Sequence, residues 1–319
     1  MTGRLDIVAS NWGRNSKYSG TVERPWRLYY GDLGRGEMDL VEARLEPTLG
    51  KEAPERSWRM VRAALPFLQE RIQSYEAYGQ AGVAEIYGHH LKSMRAVEVT
   101  TAATMVLFNR GDHFEAVELA AEAQWAPSFG ICVADADGDG AEDIFLSQNF
   151  FAMNPETARQ DSGRGLWLRG DGKGGLTPLP GELSGVKVYG EQRGCAVGDF
   201  DGDGRVDLLV AQNGAATRLF KNVGATPGLR VRLNAGPENV AGIGAALRLV
   251  YAKSFGPLRE VHAGSGYWSQ DGAVQVLGKI QEPSQIWVRW PGGKTNIFDV
   301  PPGTREMSLD ISIGAKRLR

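Results

Sequence analysis

Short apolar runs, separated by polar segments rich in glycine, make up most of the chain. Residues 144–146 and 208–211 are apolar runs that directly follow acidic loops, and residues 286–290 alternate between the two faces of a strand. Runs of this length between frequent glycine turns favour β-strands over helices. The pattern therefore predicts a mainly β chain built from short hairpins.

Residues 51–97 depart from this pattern and predict a helical insertion. Apolar residues recur there at helical spacing in two groups, Trp58, Val61 and Leu65, then Leu68, Ile72 and Tyr75. Pro54 suits a first helical turn, and Pro66 marks a break. We therefore expect two helices, over residues 52–65 and 67–87.

Two nine-residue acidic loops carry the candidate chemistry. Both place aspartate at positions 1, 3, 5 and 9 and glycine at positions 4 and 6. The first acidic loop, residues 135–143, has Asp135, Asp137, Asp139 and Asp143, and the second, residues 199–207, has Asp199, Asp201, Asp203 and Asp207. Glycine allows the tight turns that bring such oxygens around one point.

Calcium takes six to eight oxygen ligands, often including a backbone carbonyl at loop position 7. Without a cation, two carboxylates 4 Å apart repel by about 1 kcal/mol even in bulk water. The spacing therefore predicts two calcium sites, the second completed by the carbonyl of Arg205, whose side chain is expected to take no part. The alternative is a pair of solvated turns without an ion.

Two further segments are related to these loops. Residues 32–39 keep the first and last aspartates, Asp32 and Asp39, but lose the middle pair, which predicts a structural turn with weak calcium binding or none. Residues 3–6 match residues 204–207 in position and type. This match predicts that the chain starts inside an acidic loop, as the C-terminal part of a longer protein whose export signal lies upstream.

Composition and charge narrow the class of protein. The chain has 319 residues, 42% of them hydrophobic, and a net charge of −2. This length can bury about two domain cores, and the charge lacks the basic footprint of a nucleic-acid binder. The sequence has no apolar run long enough to span a membrane.

Cys132 and Cys195 precede the first loop aspartates by three and four residues, which predicts free, buried thiols on opposite sides.

The C-terminal residues 227–315 contain no acidic loop and predict a separate small β domain. Tyr267, Trp268 and Trp290 lie there beside glycine and proline turns. These aromatic residues either form a platform on which sugars stack or pack the core and corners of the domain.

The acidic loops, each followed by an apolar strand, resemble the FG-GAP/VCBS repeats of calcium-binding β-propellers such as integrin α-chain heads. The C-terminal part resembles the ASPIC/UnbV domain, through Gly-Ile-Gly-Ala at 242–245, Gly-Ser-Gly-Tyr-Trp-Ser-Gln at 264–270 and Val-Arg-Trp-Pro-Gly-Gly at 288–293. The combination is similar to the bacterial family of cartilage acidic protein-like chains. It departs from that family in having one degraded loop, one cut loop and fewer blades than an integrin-like propeller.

The resemblance implies four segments. These are propeller blade material with a truncated first loop at 1–50, a helical insertion at 51–97, two blades with calcium loops at 98–226, and an ASPIC/UnbV-like domain at 227–315. Carried over to the two loops, it implies calcium ligation by all eight aspartates and by the carbonyls of Ala141 and Arg205. It also implies a partial β-propeller that is secreted, periplasmic or on the cell surface.

Three functions follow for testing. The first is a non-enzymatic, adhesion-type interaction protein in which calcium staples the blades and an unknown protein or glycan is the ligand. The second is a lectin-like glycan binder, and the third a metal-dependent enzyme or biosynthetic accessory protein. The loops supply enough oxygens to saturate an ion, which argues against an open catalytic metal position.

Overall fold

The structure is a computed structural model that describes residues 4–319. It divides into two compact units. The larger unit comprises the described residues up to Asn15, together with Ala103–Phe151 and Gln160–Arg319, and the smaller comprises Ser16–Ala102 and Ala152–Arg159. Gly3, where the predicted half-loop begins, lies outside the described residues.

The strands in chain order are β1 (Ile7–Ala9), β2 (Trp26–Gly31), β3 (Asp39–Glu46), β4 (Lys51–Pro54), β5 (Arg95–Val99), β6 (Met105–Asn109), β7 (Phe114–Glu118), β8 (Ser128–Ala134), β9 (Asp143–Gln148), β10 (Leu166–Gly170), β11 (Leu176–Leu179), β12 (Glu191–Gly198), β13 (Asp207–Asn213), β14 (Ala215–Phe220), β15 (Leu229–Asn234), β16 (Ala246–Val250), β17 (Arg259–Glu260), β18 (Gln275–Leu277), β19 (Gln285–Arg289), β20 (Thr295–Asp299), β21 (Glu306–Asp310) and β22 (Gly314–Arg317). The α-helices are α1 (Trp58–Ala64), α2 (Tyr75–Gln80), α3 (Val83–Tyr87) and α4 (Gly181–Ser184). Short 3₁₀ turns cover Pro66–Glu70, Gly88–Ser93 and Ala121–Gln124.

The predicted fold class is confirmed, because the chain is mainly β and its strands form small, largely antiparallel sheets of three or four strands. In the larger unit, β1, β6 and β7 form one sheet, β8 to β11 a second, and β12 to β14 a third. We call the second and third the loop-bearing sheets, because the acidic loops join β8 to β9 and β12 to β13. This meandering arrangement is consistent with the expected partial propeller.

The two cysteines lie on the first strands of the loop-bearing sheets. Cys132 and Cys195 are free and buried, as predicted. Their Sγ atoms are nevertheless only 3.2 Å apart. Pairing is regular between each cysteine and its loop, and the two side chains point to opposite faces of their own sheets, as predicted. These two faces pack against each other in one core, which brings the thiols together.

The C-terminal part of the larger unit contains two four-stranded sheets. One has the order β18-β15-β21-β22 and the other β17-β16-β19-β20. Strand β15 pairs in parallel with β21, whereas its pairing with β18 is antiparallel. The core residues alternate along these strands and include Leu229, Val231, Leu247, Ile286, Val288, Met307 and Leu309.

Trp290 belongs to this core and is not part of an exposed platform. Its side chain is 1% exposed, and its Nε1–H donates to Asn296 Oδ1 at 2.9 Å. Of the two alternatives for these aromatic residues, core packing is therefore the one that holds for Trp290. Its indole follows strand β19, which has one apolar face, and its hydrogen-bond partner Asn296 lies on the neighbouring strand β20, which allows complete burial.

The smaller unit combines a sheet of order β4-β3-β2-β5 with the helices α1 to α3. Strand β2 pairs with β3, with Trp26 opposite Arg44. Five of the six residues predicted at helical spacing are buried, and the exception, Tyr75, is 57% exposed. No helix in the described residues is long and apolar enough to cross a membrane.

The predicted helix boundaries in this unit were partly wrong. Pro54 ends the edge strand β4 opposite Ala43 instead of starting a helix, since an edge strand tolerates proline. The second predicted helix is divided into shorter pieces. Gly82 is the N-cap of α3, and Gly88 ends that helix at φ +56°, a conformation that glycine adopts readily.

Candidate functional site

The first aspartate of each acidic loop caps the backbone of its own turn. Asp135 Oδ1 accepts hydrogen bonds from the N–H groups of Gly138 at 2.7 Å and Asp139 at 3.1 Å, and Oδ2 accepts from Gly140 at 2.8 Å. Asp199 accepts from the three corresponding N–H groups at 2.8, 3.0 and 2.8 Å. Gly138 and Gly140 have φ values of +77° and +89°, so the turn requires glycine at both positions.

The last aspartate of each loop ties the loop to a neighbouring strand. Asp143 Oδ2 accepts from the N–H of Ala136 at 2.9 Å, and Oδ1 from that of Gly170, at the end of β10, at 2.8 Å. Asp207 accepts the two corresponding hydrogen bonds, both at 2.8 Å. Asp6 accepts one from the last residue of β6 at 2.8 Å. The first three sheets of the larger unit therefore share the contact in which the final aspartate accepts a backbone N–H at or beyond the end of a neighbouring strand.

Three carboxylates of each loop converge. One oxygen from each member lies within 4.8 Å of the others in two groups, Asp135, Asp137 and Asp143, and Asp199, Asp201 and Asp207. Ligands of one calcium ion, each about 2.3–2.6 Å from it, stand at such separations from one another. The structure therefore brings together three of the four carboxylates predicted for each site.

Asp139 and Asp203, the remaining predicted ligands, fall outside these groups. Oδ1 of Asp139 accepts the N–H of Ala141 at 2.8 Å, and Oδ1 of Asp203 accepts the N–H of Arg205 at 2.9 Å. Both carboxylates also meet basic side chains. Arg169 Nη2 lies 3.2 Å from Asp139 Oδ2, and its Nε lies 2.7 Å from Oδ2 of Asp137.

The side chain of Arg205 takes part in the second loop, contrary to prediction. Its Nη1 donates to Asp203 Oδ2 at 2.9 Å, and its Nε to the carbonyl of Ala225 at 2.7 Å. The tight turn brings a guanidinium at position 7 within reach of the carboxylate at position 5. Lys221 pairs with Asp201 in the same loop, which therefore carries more basic partners than position counting predicts.

The degenerate loop at residues 32–39 keeps the same turn. Asp32 Oδ1 accepts from the N–H groups of Gly34 and Arg35, both at 2.7 Å, and Asp39 Oδ2 accepts from that of Leu33 at 3.1 Å. The guanidinium of Arg35 pairs with Asp39. A side-chain cation thus neutralises the last aspartate of this loop, and weak or absent calcium binding there stays a prediction.

Two residues of the C-terminal β domain, which the sequence analysis did not identify, contact the acidic loops. Arg230 on β15 places Nη1 2.9 Å from Oδ2 of Asp199, and both side chains are almost completely buried. Arg259 on β17 donates from Nη2 to both carboxylate oxygens of Glu142, at 2.7 and 2.6 Å. Nothing local in the sequence marks these arginines, because their partners lie far away along the chain.

Gly278 makes the closest approach between the C-terminal domain and the first acidic loop. A Cβ atom at this position would lie 1.4 Å from Oδ2 of Asp135. The loop therefore requires a residue without a side chain at position 278. Gly278 lies 135 residues beyond Asp143, the last aspartate of the loop.

Burial governs the protonation of the first loop. It raises the pKa of Asp135 to about 6 and that of Asp143 to about 7, against the lowering effect of their backbone hydrogen bonds. A bound divalent cation favours the ionised form and offsets this effect. The arrangement as a whole is suited to hold a hard cation on carboxylate oxygens.

Comparison with known proteins agrees with the C-terminal assignment. Residues 236–316 match the ASPIC and UnbV family, which confirms the predicted resemblance of this region. Cartilage acidic protein 1 of Xenopus tropicalis is 34% identical over 138 residues, covering 42% of this chain and 21% of that protein. The match therefore spans about a fifth of the relative's length.

We expect the substitution Gly278→Ala to disable the first site selectively. The added methyl group displaces the Asp135 carboxylate, which lowers calcium affinity at the first loop at least ~10-fold and destabilises the protein by about 1–3 kcal/mol. Calorimetric calcium titration and thermal unfolding measure both effects. Gly224→Ala is the matched control, since a Cβ there meets nothing within 4 Å. An unchanged calcium titration of Gly278→Ala contradicts the prediction.

We also expect the free energy of unfolding to depend on pH in a characteristic way when a chelator keeps calcium away. Because the pKa of Asp143 is raised from its usual value to about 7, the folded state binds more protons than the unfolded chain between pH 4 and 7. This contribution to stability is complete below pH 4 and is lost as the pH rises to 7. Between pH 4 and 7 the free energy of unfolding of the wild type should therefore fall by about 2–4 kcal/mol relative to that of Asp143→Asn.

Urea unfolding at successive pH values in chelator measures the difference between the two proteins. The variant Glu238→Gln, at an exposed position outside both loops, should show no such trend relative to wild type. Saturating calcium should reverse the trend, because the ion keeps the carboxylate ionised. A difference that stays constant from pH 4 to 8 in chelator is the contrary result.

Proposed function

We propose that this chain is a non-enzymatic, calcium-binding interaction module. In this proposal the loop-bearing sheets are FG-GAP/VCBS-type blades of a partial β-propeller, which the ASPIC/UnbV-matching domain follows. One observation carries it: two loops of identical spacing gather three carboxylates each within 4.8 Å on the same frame of backbone hydrogen bonds. Such a convergence of like charges is costly unless positive charge compensates it, and a bound cation supplies that charge.

Calcium acts here as a structural staple. Each ion would hold together the carboxylates of one loop, and the last aspartate of that loop also binds the main chain beside a neighbouring strand. The C-terminal domain contacts the first loop through Gly278 and the second through Arg230. Extracellular calcium modules bind with dissociation constants of about 10⁻⁴–10⁻³ M. At free calcium about tenfold above such a constant, each site adds roughly 1.4 kcal/mol to the free energy of unfolding.

These affinities fit a protein that works outside the cytoplasm, where calcium is abundant. The matched relative is named for cartilage, and we carry an extracellular setting over to this chain as part of the proposal. The carboxylates of the loops are held by their own backbone and by arginines, which favours a closed structural site over an open catalytic one. The ligand of the module is an unidentified protein or glycan.

Calcium should raise the melting temperature relative to chelator by about 5–10 °C, from two sites of the stated strength. Asp137→Asn and Asp201→Asn should each remove about half of this increase, because each disables one loop. Glu238→Gln should retain the full increase. Differential scanning calorimetry, with calcium and with chelator, measures all four proteins. A melting temperature that does not respond to millimolar calcium would falsify the staple.

A second candidate function, glycan binding, is favoured by the geometry of the corner segment, residues 264–270. Trp268 is 91% exposed and has φ +48°, a strained conformation for a residue other than glycine. The following segment is fixed on β12, since Val197 N–H donates to Asp271 Oδ1 at 2.9 Å and Val197 O accepts from Gly272 at 2.8 Å. Strain in an exposed, anchored aromatic residue is typical of a binding site.

A cavity beside this corner adds polar groups. It has a volume of about 440 Å³ and is lined, among others, by Arg259, His262, Ser265, Gln270 and Asp271. This volume lies in the range of small-ligand sites. Side chains with several donors and acceptors suit sugar hydroxyls, and an exposed indole offers a stacking face.

If the corner binds glycans, Trp268→Ala should lose at least ~10-fold in affinity for any glycan that the wild type binds on an array, given that aromatic contacts contribute about 1 kcal/mol or more. Trp125→Ala, at a tryptophan that is 47% exposed outside the corner, should bind like the wild type. Equal loss in both variants, or no glycan bound by the wild type, removes this candidate.

A further inference from the structure

Two buried thiols meet between the loop-bearing sheets. Cys132 on β8 and Cys195 on β12 are 1% and 2% exposed, and their Sγ atoms are 3.2 Å apart. A disulfide bond is about 2.05 Å long, so the sulfur atoms have to approach by about 1.2 Å. The two residues are 63 positions apart in sequence, and a bond between them would close a long loop.

The main chain around the thiols holds the two strands together. A Cβ on Gly130 would lie 2.7 Å from the carbonyl oxygen of Arg193 and 2.9 Å from Sγ of Cys195, so this approach requires glycine. Ser147 bridges the strands, since its Oγ accepts from Gly130 N–H at 2.7 Å and donates to Arg193 O at 2.5 Å. The short distance between the sulfur atoms is therefore supported by the close approach of the main chains at Gly130 and Arg193 and by the Ser147 bridge.

We propose that Cys132 and Cys195 are a disulfide-forming pair that covalently joins the two loop-bearing sheets when the protein meets a small-molecule disulfide. One cysteine thiolate attacks the S–S bond of the oxidant, forms a mixed disulfide and releases one small thiol. The second cysteine then attacks the protein sulfur of the mixed disulfide and releases the other small thiol. The protein loses two electrons and two protons, and the small disulfide gains them as two thiols.

The burial of the pair sets the rate of this reaction. Its hydrogen bond with Cys195 and burial raise the pKa of the Cys132 thiol, so this thiol is almost entirely protonated at neutral pH. Because the thiolate is the nucleophile, oxidation proceeds through transient openings between the sheets and is faster at alkaline pH. Once formed, the bond is shielded from reductants by the same burial.

The position of the bond gives it a structural role beyond the proposed calcium sites. Cys132 lies three residues before Asp135, and Cys195 four residues before Asp199. The disulfide would therefore tether the strands that enter both acidic loops, whether or not the loops hold an ion. This inference does not depend on the proposed function.

The decisive experiment follows oxidation of the wild-type chain. Reduced native protein is incubated with oxidised glutathione at mildly alkaline pH, quenched with acid, denatured and alkylated. Intact mass and peptide mapping should show loss of two hydrogen atoms, no alkylated cysteine, and one linked pair of peptides that contains Cys132 and Cys195. Recovery of two alkylated thiols, or of glutathione adducts and disulfide-linked dimers alone, overturns the proposal.

Thermal unfolding then tests the stapling role. The oxidised wild type should melt about 5–10 °C above the reduced protein, because the closed loop is long. Cys132→Ala and Cys195→Ala should each melt at one temperature in both redox states. The mass measurement needs no variant, so it holds even if a variant folds poorly. An oxidised wild type that melts at or below the reduced form overturns the stapling role. The mass and melting measurements are repeated in chelator, so that an effect of the disulfide is distinguished from an effect of calcium.

Discussion

Buried aspartates that accept backbone N–H groups hold the larger unit in shape. Asp135 and Asp199 organise the turns around themselves, and the final aspartates of the loops reach the ends of neighbouring strands. A hydrogen bond to a charged group contributes about 1.5–3 kcal/mol, but a buried carboxylate costs free energy unless a positive charge compensates it. The sheets therefore depend on positive charge brought to the loops.

Different parts of the molecule supply that charge in different ways. Arg35 serves the degenerate loop, Arg169 the first acidic loop, and Arg205 and Arg230 the second. Arg169 pairs with Asp137 and Arg230 with Asp199, so these side chains reach one of the three converging carboxylates in each loop, and the proposed calcium ions would neutralise the others. One repeated turn thus tolerates a guanidinium in the place where the proposed calcium ion would act, which explains how a loop can lose its middle aspartates and keep its conformation.

Patterns within one loop or hairpin predicted the structure well, because the interactions that decide them are local. The aspartate spacing placed three carboxylates of each loop together, and the apolar runs located β9, β13 and β19. The helical insertion was less predictable. Its apolar spacing identified the buried face, but Gly82 and Gly88 divided the segment, and pairing with β3 turned residues 51–54 into a strand.

Contacts between distant residues could not be predicted from the chain alone. The contact between Cys132 and Cys195 depends on how two sheets meet, and the burial of Trp290 depends on the packing of two others. Gly278 carries no local signal for its contact with Asp135. In each case the sequence specifies a residue type whose role is decided by a partner elsewhere in the fold.

The parallel pairing of β15 with β21 has a consequence for biosynthesis. Their residues pair 76 positions apart, as Asn234 and Asp310 do, so an emerging β15 has one unpaired edge until residues 306–310 have left the ribosome. During that interval Leu229, Val231 and Leu233 lack their core, and Arg230 lacks Glu306. This domain can close only after translation of β21, so the apolar face of β15 stays uncovered while the intervening residues are synthesised.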